Sequence, residues 1–173
     1  MTKFILLFTL IFTSYSHASA LEEFPFFGIT ASSDEINFDD PFDKLDSKES
    51  FGLRYGKQST EWRTMFTLQG NSDFTTFSIE MDKILMDSMF GYPEVRPYLG
   101  LNVGYIFYDV ADYSYEDAVF DGDGSITYGG SFGFLFYITD NIDMDISYHY
   151  YDVPDLEPID YMSGFSLGLH YFY

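Results

Sequence analysis

The sequence predicts an all-β protein, an eight-stranded antiparallel up-and-down transmembrane β-barrel. Three observations favour this fold. Apolar and polar residues alternate with a period of two along most of the chain, as in strands with two different faces. The 173 residues include 20 Phe and 16 Tyr, far more than a soluble domain usually holds. Finally, the chain starts with an export pattern, and no later segment is long and apolar enough for a transmembrane helix.

The N-terminal residues predict a secretory signal peptide. Lys3 is followed by an apolar run over 4–12, and Ala18-Ser19-Ala20 provides a cleavage site of small residues. The run is too short to span a bilayer, which argues against the alternative of a membrane anchor. We therefore expect a signal peptide over 1–20 and an outer-membrane β-barrel domain over 21–173.

Eight candidate strands follow, each bounded by turn residues. They cover 26–32, 50–58, 61–70, 74–83, 98–108, 125–139, 142–151 and 161–173. Three of the connections, 33–49, 109–124 and 152–160, are long and acidic, whereas Ser59-Thr60 and Asp140-Asn141 are two-residue turns. Long loops at one end and short turns at the other are typical of outer-membrane barrels. The tight hairpin at Asn71 and the longer connection over 87–96 depart from this alternation.

The same alternation predicts which side chains face lipid. The outward sets are Trp62, Thr64, Phe66 and Leu68 on the third strand, Leu99, Leu101, Val103, Tyr105 and Phe107 on the fifth, Ile126, Tyr128, Phe132, Phe134 and Phe136 on the sixth, and Ile142, Met144, Ile146, Tyr148 and Tyr150 on the seventh. The opposite face carries charge, which the core of a soluble sandwich would not tolerate.

The last strand carries a pattern that resembles the assembly signal of bacterial outer-membrane barrels. Ser166, Gly168, Tyr171 and Tyr173 fill its four defined positions. The stretches 96–105 and 137–142 also resemble the fifth strand and the turn before the seventh strand of small barrels. The chain thus resembles the outer-membrane β-barrel domain family of the OmpA transmembrane, OmpX and opacity-protein type.

This resemblance implies a place in the bacterial outer membrane, in contact with its lipid and lipopolysaccharide, after insertion by the barrel-assembly machinery. It also implies that the termini face the periplasm and that the long acidic loops face outside. We expect the last strand to close the barrel by pairing with the first around Phe27 and Ile29.

Charged residues at inward positions form the candidate site. They are Arg54, Glu61, Arg63, Glu80, Asp82, Asp143, Asp145 and His149. Side chains just fill the interior of eight strands, so these groups must pair or be hydrated. We expect Arg54 and Arg63 to lie opposite Glu80, Asp82 and Asp143 in a structural polar plug; a gated ion path is the alternative.

The acidic loops raise the question of a metal site. The run 121–126 resembles part of an EF-hand loop, but Val119 and Gly130 stand where that motif needs acidic ligands, so a turn rich in Asp and Gly explains it better. The sequence predicts no metal site and no cofactor. Weak binding of divalent cations beside lipopolysaccharide phosphates remains an alternative role for these loops.

Some small barrels modify lipid A through a His with a Ser or Asp, and His149 has Ser147 and Asp152 nearby in sequence. Ser147 and His149 lie two residues apart on the lumen side, away from the usual entry of a lipid chain. We therefore assign His149 to lumen packing and predict no catalytic residues and no enzymatic activity.

Charge and composition exclude further classes. The chain has no cysteine, so disulfides and thiolate metal sites are excluded, and its net charge of −20 argues against binding nucleic acid. We expect a monomeric integral protein with a structural or adhesion-like surface role, in which acidic loops contact an extracellular ligand. A narrow ion or small-solute channel is the first alternative, and a lipid A-modifying enzyme is the second.

Overall fold

The computed structural model describes residues 22–38, 46–86, 91–108, 124–154 and 159–173. It contains eight strands: β1 (Phe24–Phe38), β2 (Asp46–Gln58), β3 (Trp62–Gly70), β4 (Phe74–Ile84), β5 (Val95–Tyr108), β6 (Gly124–Thr139), β7 (Ile142–Asp152) and β8 (Ile159–Phe172). Each strand pairs antiparallel with the next, and β8 pairs with β1, so the sheet closes. The predicted eight-stranded up-and-down barrel is confirmed.

Several predictions fall outside the described residues. These are the signal peptide over 1–20, the EF-hand-like aspartates at 121 and 123, and most of the acidic loop residues. Within the described ranges, no helix has the length and hydropathy of a membrane span.

The last strand pairs with the first around Phe27 and Ile29, as predicted. Phe27 lies opposite Tyr171 and Ile29 lies opposite Leu169. Their side chains point outward, and the rings of Phe27 and Tyr171 meet edge to face with centroids 5.8 Å apart. Closure leaves no free sheet edge, which a membrane-spanning sheet requires because lipid offers no hydrogen-bond partners.

The first strand is longer than predicted. Alternation continues past Ser32, with Asp34 and Ile36 buried and Ser33 and Glu35 exposed. The acidic composition of 33–49 predicts a loop for these residues. Acidic side chains are compatible with a strand here, because this end of β1 extends beyond the lipid and its outward face meets water. β2 and β8 likewise begin earlier than predicted, at Asp46 and Ile159.

The side chains predicted to face lipid point outward. Leu99, Val103, Phe107 and Phe132 are among the most exposed, and the rest are exposed or half-buried. On β1 and β2 this apolar belt ends where Ser33 pairs with Glu49. A span of about 9–11 residues crosses the bilayer; β1 has 15 residues, so part of it projects beyond the belt.

Inside the barrel, a polar layer lies between two apolar clusters. We call the end at which β1, β3, β5 and β7 finish the loop end, and the opposite end, with the termini, the turn end. The loop-end cluster comprises Ile36, Phe74, Ile106, Val153, Ile159 and Met162. The turn-end cluster comprises Ile84, Tyr98 and Leu135, with Tyr137 packed against it. The order is visible along β4, whose buried positions run Phe74, Ser78, Glu80, Asp82 and Ile84.

Candidate functional site

The polar layer is centred on Arg63 of β3, which is fully buried. Its Nε donates to Asp82 Oδ2 at 2.7 Å, and its Nη1 donates to Asp145 Oδ2 at 2.7 Å. The guanidinium carbon lies 4.6 Å from the centroid of the Tyr98 ring. Arg63 therefore bridges carboxylates on β4 and β7 across the lumen and packs on an aromatic ring from β5.

A second arginine reaches the same carboxylate on β7. Arg54 Nη1 donates to Asp145 Oδ1 at 3.1 Å and to Oδ2 at 3.0 Å. Gly168 lies directly opposite Asp145 in the sheet. A Cβ at Gly168 would overlap Arg54 Nη1 and lie 2.8 Å from Asp145 Oδ1. The absence of a side chain at Gly168 is thus what lets the arginine approach.

Glu80 receives neutral donors. Ser131 Oγ donates to Glu80 Oε1 at 2.6 Å, and Asn102 Nδ2 lies 3.5 Å from Oε2. The position that a Cβ on Gly100 would occupy lies within 2.8 Å of Asp82 Oδ1, Ser131 Oγ and Glu80 Oε1. Glu80 and Asp82 are therefore neighbours inside the barrel, and only Asp82 contacts an arginine.

Two histidines pair with aspartates on either side of this layer. His170 Nδ1 is 2.8 Å from Asp143 Oδ1, and Gln58 Nε2 donates to Asp143 Oδ2 at 3.3 Å. Nearer the loop end, His149 Nε2 is 2.7 Å from Asp34 Oδ1. Asp34 Oδ2 also accepts hydrogen bonds from Ser32 and Ser50, at 2.8 and 2.9 Å. Each histidine thus joins two strands through a carboxylate.

Seven of the eight candidate lumen residues lie inside the barrel; they are Arg54, Arg63, Glu80, Asp82, Asp143, Asp145 and His149. The partners differ from the expected ones, because Asp145 contacts both arginines whereas Asp143 contacts His170 and Gln58.

The prediction for Glu61 was wrong. Its side chain is 56% exposed and accepts a bond from Lys83 Nζ at 2.6 Å outside the lumen. Ser59 Oγ accepts hydrogen bonds from the backbone N–H groups of Glu61 and Trp62. The turn therefore continues through Glu61, and the strand alternation starts only at Trp62.

Several lumen residues are absent from the predicted set, among them Asp34, Gln58 and His170. Asp34 was assigned to a loop. Gln58 and His170 were not included in the site, although both stand at alternating positions on the buried face. The period of two places all three side chains on the buried face. It does not indicate which residues they contact, because those contacts depend on the stagger between strands.

Ser147 and His149 do not form the serine–histidine contact that hydrolysis would need. His149 bonds Asp34, whereas Ser147 Oγ bonds Ser166 Oγ at 2.7 Å. A nucleophilic serine must bond its base directly. Among the described residues, no three metal-ligating side chains converge on one point.

The four residues of the candidate assembly pattern divide between the two faces of β8. Ser166 and Gly168 face the lumen, and Tyr171 and Tyr173 point outward at the turn end. The backbone N–H of Tyr173 donates to Pro25 O at 3.3 Å, next to the start of β1. Tyr173 itself is 64% exposed.

We predict that Tyr173→Asp lowers the inserted fraction several-fold, because a carboxylate replaces an aromatic ring at the position proposed to be read during assembly. The fraction is measured in membranes as the form whose electrophoretic mobility changes on heating. Tyr92→Asp is the matched control, because Tyr92 is 66% exposed in the connection between β4 and β5. Equal insertion of both variants would contradict a specific role for Tyr173.

A closed barrel with an apolar outer belt and a polar, side-chain-filled lumen defines an integral β-barrel of the bacterial outer membrane. The sequence agrees, because it matches the model of the outer membrane protein beta-barrel domain over residues 4–171. The chain belongs to this family and is an outer-membrane protein. No curated protein matches it significantly.

Solved structures share this architecture. Neisserial surface protein A is 19% identical, with 86% of this chain and 97% of that chain covered and a TM-score of 0.58. OprH from Pseudomonas aeruginosa is 19% identical, with 87% of this chain and 99% of that chain covered and a TM-score of 0.60. Ail from Yersinia pestis, solved with the heparin analogue sucrose octasulfate, is 14% identical, with 88% of this chain and 100% of that chain covered and a TM-score of 0.54. At these identities the likeness concerns the fold.

Proposed function

We propose that this protein is a non-enzymatic, non-conducting surface protein. In this proposal the barrel anchors the chain and the loop end contacts other surfaces. The observation that supports it is the filled lumen, in which two apolar clusters enclose a bonded polar layer. Function would then lie with the residues at the loop end, because the interior is occupied by the protein's own side chains.

The apolar clusters argue against an ion path. Ile36 and Ile106 at the loop end, and Leu135 at the turn end, are each 0% exposed. An ion entering from either end would have to shed its water at a dry apolar constriction, which is how hydrophobic gates block conduction. Behind each constriction it would meet arginines and carboxylates already bonded to each other.

Charge at the loop end suggests the kind of partner. Glu35 and Glu49 are exposed on the outer wall, and the sequence segments 39–45, 109–123 and 155–158 are rich in Asp and Glu. Lys48, the only Lys or Arg among the described residues of this rim, lies 2.9 Å from Asp73. Such a surface favours a positively charged partner, with an association rate that falls as salt rises.

We predict no stepwise conductance when the purified protein is inserted into planar bilayers. In the proposed state Arg54 and Arg63 keep their ion pairs with the lumen carboxylates. The lumen then offers no water-filled path along which voltage could drive ions. A stepwise conductance that disappears in Arg54→Gln would replace this proposal with the channel alternative.

The surface role is tested by attachment of cells that produce the protein. Replacing residues 109–123 with a short Gly/Ser linker should remove attachment to host or bacterial surfaces, while Asp140→Asn at the turn end serves as control. Heat-modifiable mobility verifies that both variants fold. Attachment that is absent from the native protein, or unaffected by the linker, would contradict the surface role. A His149-dependent change in lipid A mass would instead indicate an enzyme.

A further inference from the structure

The described lumen contains more carboxyl groups than cations that pair with them. The carboxyl groups are those of Asp34, Glu80, Asp82, Asp143 and Asp145. Two of these, Asp34 and Asp143, pair with histidines. Three carboxyl groups then remain for two arginines.

The surplus is located at Glu80 and Asp82. Arg54 and Arg63 both bond Asp145, and Arg63 Nε also bonds Asp82 Oδ2. Glu80 bonds the hydroxyl of Ser131 and lies beside the amide of Asn102, and among the described residues no cation bonds it. Glu80 is 5% exposed and Asp82 is 0% exposed, so water does not compensate a second negative charge here. A buried charge without a counter-charge strongly destabilises the folded state.

One oxygen of this pair has no donor. Among the described residues, no hydrogen-bond donor reaches the buried Asp82 Oδ1, although Arg54 Nε and Arg63 Nη2 in the same layer are themselves unpaired; Asn102 Oδ1 is also buried without a partner. Asp82 Oδ1 and Glu80 Oε1 both border the point where a Cβ on Gly100 would stand. Two ionised carboxylates side by side would repel and offer only acceptors to each other.

We propose that Glu80 and Asp82 form a proton-binding site that holds one proton between Asp82 Oδ1 and Glu80 Oε1. The proton supplies the missing donor and removes one negative charge. Arg54 and Arg63 are then balanced by Asp145 and by the single charge of the Glu80–Asp82 pair. Water supplies the proton when the barrel folds and receives it when the barrel unfolds.

Charged and titratable groups from several strands face this pair. The groups that face it directly are Arg54 of β2, Arg63 of β3, Tyr98 of β5 and Tyr151 of β7. Asp145 of β7 bonds both arginines, and His170 Nε2 of β8 lies 3.9 Å from Asp145 Oδ2. β6 contributes the uncharged Ser131. A small metal cation is the other possible occupant, but it would stand beside Arg63 on the same carboxylate and be repelled. This favours the proton.

The direct test is infrared spectroscopy of the refolded native protein in detergent at neutral pH. We expect the carbonyl band of a protonated carboxyl group. Glu80→Gln and Asp82→Asn should each remove the band, because one remaining carboxylate balances the arginines without a proton. Asp34→Asn, at the separate His149 pair, should retain it. Absence of the band in the native protein, or its persistence in both variants, would overturn the proposal.

Stability against pH gives a second measurement. Carboxyl groups of the unfolded chain lose their protons near pH 4, whereas the proposed native pair still holds one proton above that pH. The native state therefore binds one more proton, and raising the pH favours unfolding. We expect this pair to lower the folding equilibrium constant about tenfold per pH unit until the native proton is released.

The loss of stability with rising pH that the shared proton causes should be missing in Glu80→Gln and Asp82→Asn, which carry no shared proton. Unfolding in urea is compared at constant ionic strength in sodium and in choline salts. Stabilisation of the native protein by sodium, lost in both variants, would overturn the proposal in favour of a bound cation. Identical pH slopes in all three proteins would also overturn it.

Discussion

We expect Arg63→Ala to lower the free energy of unfolding by about 3–5 kcal/mol, the usual cost of removing one partner from a buried ion pair. Arg63 is 0% exposed and bonds carboxylates on two strands. Without it, Asp82 loses its only arginine and Asp145 loses one of two. The loss also opens a cavity beneath the ring of Tyr98, which adds to the cost.

The measurement is urea unfolding of protein inserted in phospholipid vesicles, followed by the circular dichroism of the β-sheet. Lys83→Ala is the control, because Lys83 forms an equally short bond to Glu61, at 2.6 Å, with both side chains exposed. Such a pair contributes about 0–1 kcal/mol. Fluorescence is less suitable, since Lys83 lies over the ring of Trp62. Equal effects of the two substitutions would show that the lumen network does not stabilise the barrel.

Gly168→Ala should destabilise the barrel by about 1–3 kcal/mol, as expected for overpacking a filled interior. The new Cβ would occupy the space of Arg54 Nη1 and press against Asp145. Gly130→Ala is the control, because Gly130 follows the outward alternation of β6 and its Cβ would meet only Gly100 O, at 3.1 Å. Refolding into detergent without any assembly machinery, followed by urea unfolding, gives the comparison.

A double variant separates two roles for Gly168. If the glycine makes room for Arg54, the effects of Gly168→Ala and Arg54→Ala will not add, because removing the arginine also removes the overlap. If the glycine serves only as part of an assembly signal, Gly168→Ala will refold normally in detergent and fail only in cells. Additive effects in detergent would contradict the role derived from the geometry.

The architecture could be predicted from the sequence because a period of two is a local property. It predicted the strand count and the outward residues of β3, β5, β6 and β7. The pairing of β8 with β1 followed from the barrel closure that the family resemblance implies. It failed at strand ends. Asp34 and Glu35 have the composition of a loop, yet they continue β1 beyond the lipid.

The lumen contacts could be predicted only in part. Alternation places Arg63 and Asp145 inside, but which carboxylate meets which arginine depends on the stagger of strands and on small residues such as Gly168. Glu61 shows the complementary error, because one turn residue, Ser59, shifts the start of β3 past it. Contacts across a lumen are set by the closed barrel as a whole, and no local pattern encodes them.

The loop-end cluster has a consequence for how this surface can change. Each connection at that end begins or finishes beside a residue of the cluster: Ile36 before the first, Phe74 after the second, Ile106 before the third, and Val153 and Ile159 around the fourth. These contacts hold the strand ends together through residues that flank the connecting segments. We therefore expect the barrel to persist when the connecting segments are exchanged in sequence or length, so that one barrel can carry different loops.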